Sequence, residues 1–149
     1  MRPVYIIKEF LNSIQENDFT NAESLVTNTF RIEGWEPDTI TSRDYLNLMR
    51  CIVKGMPDYK YNYQNFNEKG NTVDFTINIT GTHTREIPSI LPGIDSVPAT
   101  NTKVKLPQQN CWVTIKDNKI DTFRVEQVTG GSLMGLFKQL GVDLHLEVH

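Results

Sequence analysis

Apolar positions in the first third of the chain recur at helical spacing. Val4, Ile7, Leu11 and Ile14 fall on one stripe with Phe10 beside them, which predicts an amphipathic helix ended by Asn17 and Asp18. Thr20-Asn21-Ala22-Glu23 reads as a capping box, because a Thr hydroxyl and a Glu three residues on can each satisfy a free amide. It predicts a short helix through Leu25 and Val26. Phe30 to Trp35 predicts a brief extended piece, broken by Glu36-Pro37-Asp38. Thr41-Ser42-Arg43-Asp44 then opens a third helix that buries Tyr45, Leu48, Met49, Ile52 and Val53 and stops at Gly55 and Pro57.

From Tyr59 the period changes to two. Tyr59, Tyr61 and Tyr63 alternate with Lys60, Asn62 and Gln64, and residues 67–71 read as a hairpin turn. Val73, Phe75, Ile77 and Ile79 alternate with polar residues and predict a half-buried strand. Pro88, Pro92, Gly93 and Pro98 make residues 85–102 an irregular excursion, since proline lacks the amide a central strand needs. Strands are predicted around Val104 to Ile115 and Ile120 to Val128, joined through Asp117-Asn118-Lys119. A helix follows from Ser132 to Leu140 with Leu133, Leu136, Phe137 and Leu140 on one face, and the tail from Val142 to His149 is expected to fray. Helices followed by an antiparallel sheet make one α+β domain over residues 1–149. Three helices over a bent sheet leave a cone with an open end.

Composition narrows the class. With 149 residues, 38% apolar and 22% charged, the chain is a folded domain of ordinary size. The net charge of −3 is a poor footprint for nucleic acid, and no run approaches a membrane span. The early charges of Met1-Arg2-Pro3-Val4-Tyr5-Ile6-Ile7-Lys8-Glu9 make a poor secretory signal. Cys51 and Cys111 lie far apart, and His83, His145 and His149 have no ligand spacing, so no metal site is expected. Free thiols point to a reducing cytoplasm, with a single bridge as the alternative. Motif searches for a dinucleotide loop, a phosphate loop and a nucleophile elbow find none; Gly130-Gly131 reads as a hinge.

Several short pieces carry a resemblance along nearly the whole chain. They are Asn17-Asp18, Met56-Pro57-Asp58, Gly81-x-His83, Pro98-Ala99-Thr100-Asn101, Asp117-Asn118-Lys119-Ile120, and the run from Gly135 to Gly141. In this order and spacing they resemble the SnoaL-like polyketide cyclase group of the nuclear transport factor 2-like superfamily. The resemblance implies an α+β cone: three N-terminal helices on a strongly curved, mainly antiparallel sheet, with a short C-terminal helix. It also implies a homodimer formed through the sheet and a pocket between the concave sheet face and the helices. It does not fix an activity, because the superfamily hosts cyclases, isomerases, dehydratases, hydrolases and proteins without catalysis. The acid/base Asp of the cyclases, four residues after a last-strand Trp, falls on Val128 when counted from Ile120, with Arg124 at the Trp position. Counted back from the C-terminal motif it falls on Ser132. Neither is an acid.

The candidate chemistry has two readings at each residue. His83 continues the apolar face of Val73 to Ile79, as a pocket-wall proton carrier or as a buried histidine that hydrogen-bonds the loop after it. By alternation Ile120, Thr122, Arg124, Glu126 and Val128 share a face, which the resemblance places inward. There Glu126 would be a general base and Arg124 a clamp for a ligand oxygen. The alternative has Arg124 and Glu126 paired on an edge or dimer face while Phe123 and Val125 face the core. Trp112 is either a stacking platform or an interface residue, and Trp35 stands near the mouth, with Glu33 beside it expected to be solvated. Tyr59, Tyr61 and Tyr63 either present hydroxyls to an oxyanion or pack a sheet face; Tyr45, Met49 and Met56 line the pocket or simply the core.

Three functions follow. The first is a binding protein for a small hydrophobic or carbonyl-bearing ligand, with no acid at the usual position. The second is a cofactor-independent isomerase, cyclase or dehydratase using His83 and Glu126. The third is a dimerisation module. Residues 85–102 would serve as a lid or as a dimer arm.

Overall fold

The computed structural model describes residues 2–35, 40–90 and 95–142. The predicted break at Glu36-Pro37-Asp38, the loop positions Pro92 and Gly93, and the tail from residue 143 lie outside the described residues. The elements in order are α1 (Pro3–Gln15), α2 (Phe19–Ser24), β1 (Val26–Glu33), β2 (Ile40–Thr41) and α3 (Ser42–Gly55). They continue with β3 (Gln64–Lys69), β4 (Thr72–Ile77), β5 (Thr80–Thr82), β6 (Lys103–Lys105), β7 (Gln109–Lys116), β8 (Lys119–Val125) and α4 (Ser132–Gln139).

The fold is α+β. Six strands form one sheet in the order β2-β1-β8-β7-β4-β3, and β5 and β6 form a separate pair. All pairings in the large sheet are antiparallel except β1 with β8, which is parallel. Irregularities in β1, in β3 and at the β7–β8 pairing interrupt the ladders, and such bulges bend and twist a sheet.

The core lies between the sheet and the helices. From α1, Ile6, Ile7, Phe10, Leu11 and Ile14 are buried, and from α3, Tyr45, Leu48, Met49, Ile52 and Val53. The sheet contributes Phe30 and Ile32 of β1, Val73 and Phe75 of β4, Cys111 and Val113 of β7, and Phe123 and Val125 of β8. Phe123 meets Phe75 edge to face at 5.8 Å, and Phe10 packs against Phe30 at 6.0 Å. Each buried Phe contributes roughly 1.5–3 kcal/mol by leaving water.

Local details differ from the sequence pattern for identifiable reasons. The second helix starts two residues earlier than the capping box suggests. Asp18 caps it, accepting from the Asn21 amide at 3.1 Å, and the helix ends at Ser24, so Val26 is already strand. The third helix is capped as read, by the Thr41 hydroxyl on the Asp44 amide. Tyr59 to Tyr63 is not a regular strand. Asn62 turns with φ +51° and donates through Nδ2 to the Asn78 carbonyl and Thr80 Oγ1, leaving one bridge between Lys60 and Thr80. The predicted strand from Val104 to Ile115 is two strands, because Leu106-Pro107-Gln108 interrupts it. The last strand stops at Val125 rather than Val128. Of residues 85–102, Ile87 and Val97 form a bridge, and Ile87 packs on Gly55 at the end of α3.

Candidate functional site

Polar groups buried without a partner are rare in folded proteins, and each asks for an explanation. Among the described residues, four side-chain atoms are of this kind: Trp35 Nε1, Tyr59 OH, His83 Nε2 and Gln109 Oε1. The elements carrying them surround the interior.

Gly34 brings Trp35 into that interior. Its φ is +87°, and a β-carbon there would stand 1.9 Å from the Val125 carbonyl oxygen, so β1 and β8 approach closely only because it is glycine. Trp35, 2% exposed, then turns inward and meets the Tyr45 ring edge-on at 6.3 Å. The Tyr45 hydroxyl shares a hydrogen bond of 2.8 Å with that of Tyr61, and the Tyr61 ring meets Tyr59 edge-on at 5.2 Å. Burial pushes all three phenols above their ordinary pKa, so they are protonated donors at neutral pH. Burial also raises the Cys111 thiol, which lies near the same phenols on the inner face of β7.

Gln109 sits two residues before Cys111 on that face. Its Nε2 donates to the Glu126 carbonyl and to Ser132 Oγ, both at 2.9 Å, and Ser132 donates to the Gly34 carbonyl at 2.8 Å. Ser132, one of the two positions matching the cyclase acid, therefore joins α4 to the backbone beside Trp35. Val128, the other, is half-buried in the turn before α4, its carbonyl accepting from the Gly131 amide. Met49 is fully buried on α3 and belongs to the core there.

His83 follows β5 and is fully buried. Its Nδ1 accepts from the Thr100 amide at 3.3 Å and pairs with the Thr100 hydroxyl at 2.9 Å. The neutral ring therefore carries its proton on Nε2. Burial lowers its pKa below 6.5, and the backbone of Val97 and Arg85 beside the ring pulls the other way. The ring is buried, and its hydrogen bonds go to the loop that follows it.

The expected inward face of the last strand is reversed beyond Ile120. Thr114 pairs with Thr122 and Ile115 with Ile120, so Asp121 is an extra residue that breaks the alternation. Ile120, Phe123 and Val125 are buried, whereas Thr122 and Arg124 are exposed. Arg124 lies over the Trp112 ring at 4.3 Å and in register with Glu33, which is exposed as expected. Trp112 alternates with the buried Cys111 and Val113 and is likewise on the outer face. Glu126 accepts from the Asn110 amide at 3.3 Å. Of the expected site residues, the structure brings Trp35 and Tyr45 into contact, buries Met49 in the core and His83 against the loop that carries Thr100, and leaves Arg124 and Trp112 on the outer face of the sheet. Gln109 escaped the sequence reading, although its parity with Cys111, Val113 and Ile115 could have placed it inward.

Among the described residues no group of three His, Cys, Asp or Glu could hold a metal, and no helix is long and apolar enough to cross a membrane. A surface groove of about 560 Å³ between the ends of α1 and α3, lined by Gln15, Asp18, Arg50, Lys54 and Arg85 among others, holds none of the four orphan atoms.

Comparison with solved structures gives this arrangement its setting. A SnoaL-like protein from Jannaschia, a candidate polyketide cyclase, superposes with a TM-score of 0.65 at 15% identity over 83% of each chain. IdmH from Streptomyces antibioticus, also a candidate polyketide cyclase, gives 0.70 at 18% identity over 95% of this chain and 100% of its own. The fold is that of the SnoaL-like, nuclear transport factor 2-like proteins. AclR from Streptomyces galilaeus, a candidate hydroxylase of similar shape, gives 0.70 at 18% identity over 93% of this chain and 95% of its own. No protein-family model and no curated protein matches the chain. The chain therefore shares a fold with these neighbours at low sequence identity.

Proposed function

We propose that the protein binds a small, partly apolar ligand in the interior between the sheet and the helices, with Trp35, Tyr45, Met49 and His83 among the contacts. The observation that carries this reading is the set of four buried polar atoms without partners in an otherwise apolar core. A ligand that supplies the missing hydrogen bonds offsets a cost of about 1–3 kcal/mol for each. Structural neighbours described as candidate cyclases and a candidate hydroxylase support a small-molecule role for this shape. The test uses the two tryptophans. In Trp112→Phe, Trp35 is the remaining emitter, and titration with acetylnaphthalene should quench it saturably. An emission change confined to Trp112 in the unsubstituted protein would refute an interior site.

Catalysis by His83 with Glu126 is the second reading, favoured by the buried, neutral imidazole. Glu126 supports it less, because its carboxylate is engaged with Asn110. The outer-face residues Trp112, Arg124 and Thr122 support a homodimer through the sheet, with a half-exposed indole and its stacked guanidinium on an otherwise polar face. The unpaired thiols of Cys51 and Cys111 support a reducing, cytoplasmic setting.

A further inference from the structure

The surface groove between the ends of α1 and α3 carries charges of both signs. Arg50 and Lys54 stand one turn apart on α3, and both are exposed. Arg85 joins them, because its amide donates to the carbonyl of Gly55, the last residue of α3, at 3.1 Å. Glu16 at the end of α1 and Asp18 at the start of α2 line the same groove. Asp18 Oδ1 accepts from the Asn21 amide, which leaves its second oxygen and the Glu16 carboxylate open. Among the described residues the one ion pair joins Arg2 and Glu68, so none of the three cations is in contact with either carboxylate. Opposite charges therefore share one groove of about 560 Å³ without pairing. Arg50 is also held in place. Its guanidinium lies 5.2 Å from the centroid of the buried Phe19 ring. An arginine stacked in this way keeps its planar fork of N–H donors for a carboxylate and has less freedom left to lose.

These charges select by sign. A simple anion in the groove would meet two carboxylates as well as three cations, and a simple cation would meet the reverse. A molecule with one charge of each sign is attracted by both sets. Because the two sets do not touch, the ligand's own charges must stand apart. The free ends of a short peptide do so, at about 3.3–3.6 Å per residue. The volume of the groove lies within the range that takes small organic molecules.

We infer that this groove binds a short peptide with both ends free, its carboxylate taken by Arg50, Lys54 and Arg85 and its ammonium by Glu16 and Asp18. The site is separate from the interior and does not depend on a ligand there.

Four peptides test it: trialanine, N-acetyltrialanine, trialanine amide and the doubly blocked form. Each is titrated at low salt and about pH 6.5, where the α-amino group is charged, against the full-length protein, with the backbone amide shifts followed by NMR. Free trialanine should bind tightest and shift the amides of residues 15–20 and 50–54. Blocking one end should weaken binding about threefold and blocking both about tenfold, the range for exposed charge pairs. Added salt should level the series. Glu16→Gln should shrink the loss caused by acetylation and leave the loss caused by amidation, and Arg50→Gln should do the reverse. Lys54→Gln replaces Arg50→Gln if losing the contact with Phe19 unfolds the protein. Equal affinity for the free and doubly blocked peptides, tighter binding of a singly blocked peptide than of the free one, shifts confined to other surfaces, or no shift with any of the four would overturn the inference.

Discussion

At Gly34 the backbone turns with φ +87°, and the β-carbon of any other residue would run into the Val125 carbonyl. Gly34→Ala should cost about 3 kcal/mol or more in denaturant unfolding, combining left-handed strain with a steric clash, and should move the emission of Trp35. His83 makes a different prediction. Its pKa is lowered from 6.5 by burial, so between the lowered value and 6.5 the unfolded chain holds more protons than the folded one. Its stabilisation is complete above 6.5 and declines as the pH falls through that window. Chemical denaturation from about pH 8 to about pH 5 should show this slope in wild type, and His83→Gln should flatten it. The residue scale was partly legible in the sequence. The parity of His83 with Val73 to Ile79 placed it inward, and α3 periodicity placed Tyr45 and Met49. The meeting of Tyr45 with Tyr61 and Trp35 was not legible, because it joins three elements and spacing along one element carries no information about another.

Among the elements, β7 and β8 show how a single residue changes a face. Asp121 is the extra residue, and its carboxylate accepts from the hydroxyls of Thr27 at 2.6 Å and Thr29 at 2.7 Å, which hold its pKa below the ordinary carboxylate value. Asp121→Ala should destabilise by about 1 kcal/mol through those lost bonds, seen as a shifted urea midpoint with an unchanged slope. The turn before it is a two-residue hairpin with Asp117 at φ +53° and Asn118 at φ +60°, the conformation that suits Asn, Asp and Gly. Asp117→Val should cost about 1–2 kcal/mol by forcing a β-branched residue into the left-handed region. Helix periodicity and turn chemistry announced α1, α3, α4 and this hairpin. Strict alternation misread Arg124, because a bulge has no signature in the order of polar and apolar residues.

For the whole molecule, the proposed homodimer would use the outer face of the sheet. Sedimentation velocity should find a dimer, and Trp112→Glu, placing a carboxylate in the centre of that face, should shift it toward monomer with the helical circular dichroism unchanged; a monomeric wild type would remove the homodimer reading. The α+β class followed from helices preceding strands, and the sheet order did not, since β1 lies beside β8 in parallel, a pairing no local pattern announces. That pairing bears on how the chain is made. The hydroxyl of Thr27 reaches a carboxylate 94 positions further along the chain. Such distant contacts slow folding, because a long loop must close before they form. During synthesis, the edge of β1 that pairs with β8 stays open until residues 119–125 have emerged, and a fragment ending before Val125 should aggregate rather than fold.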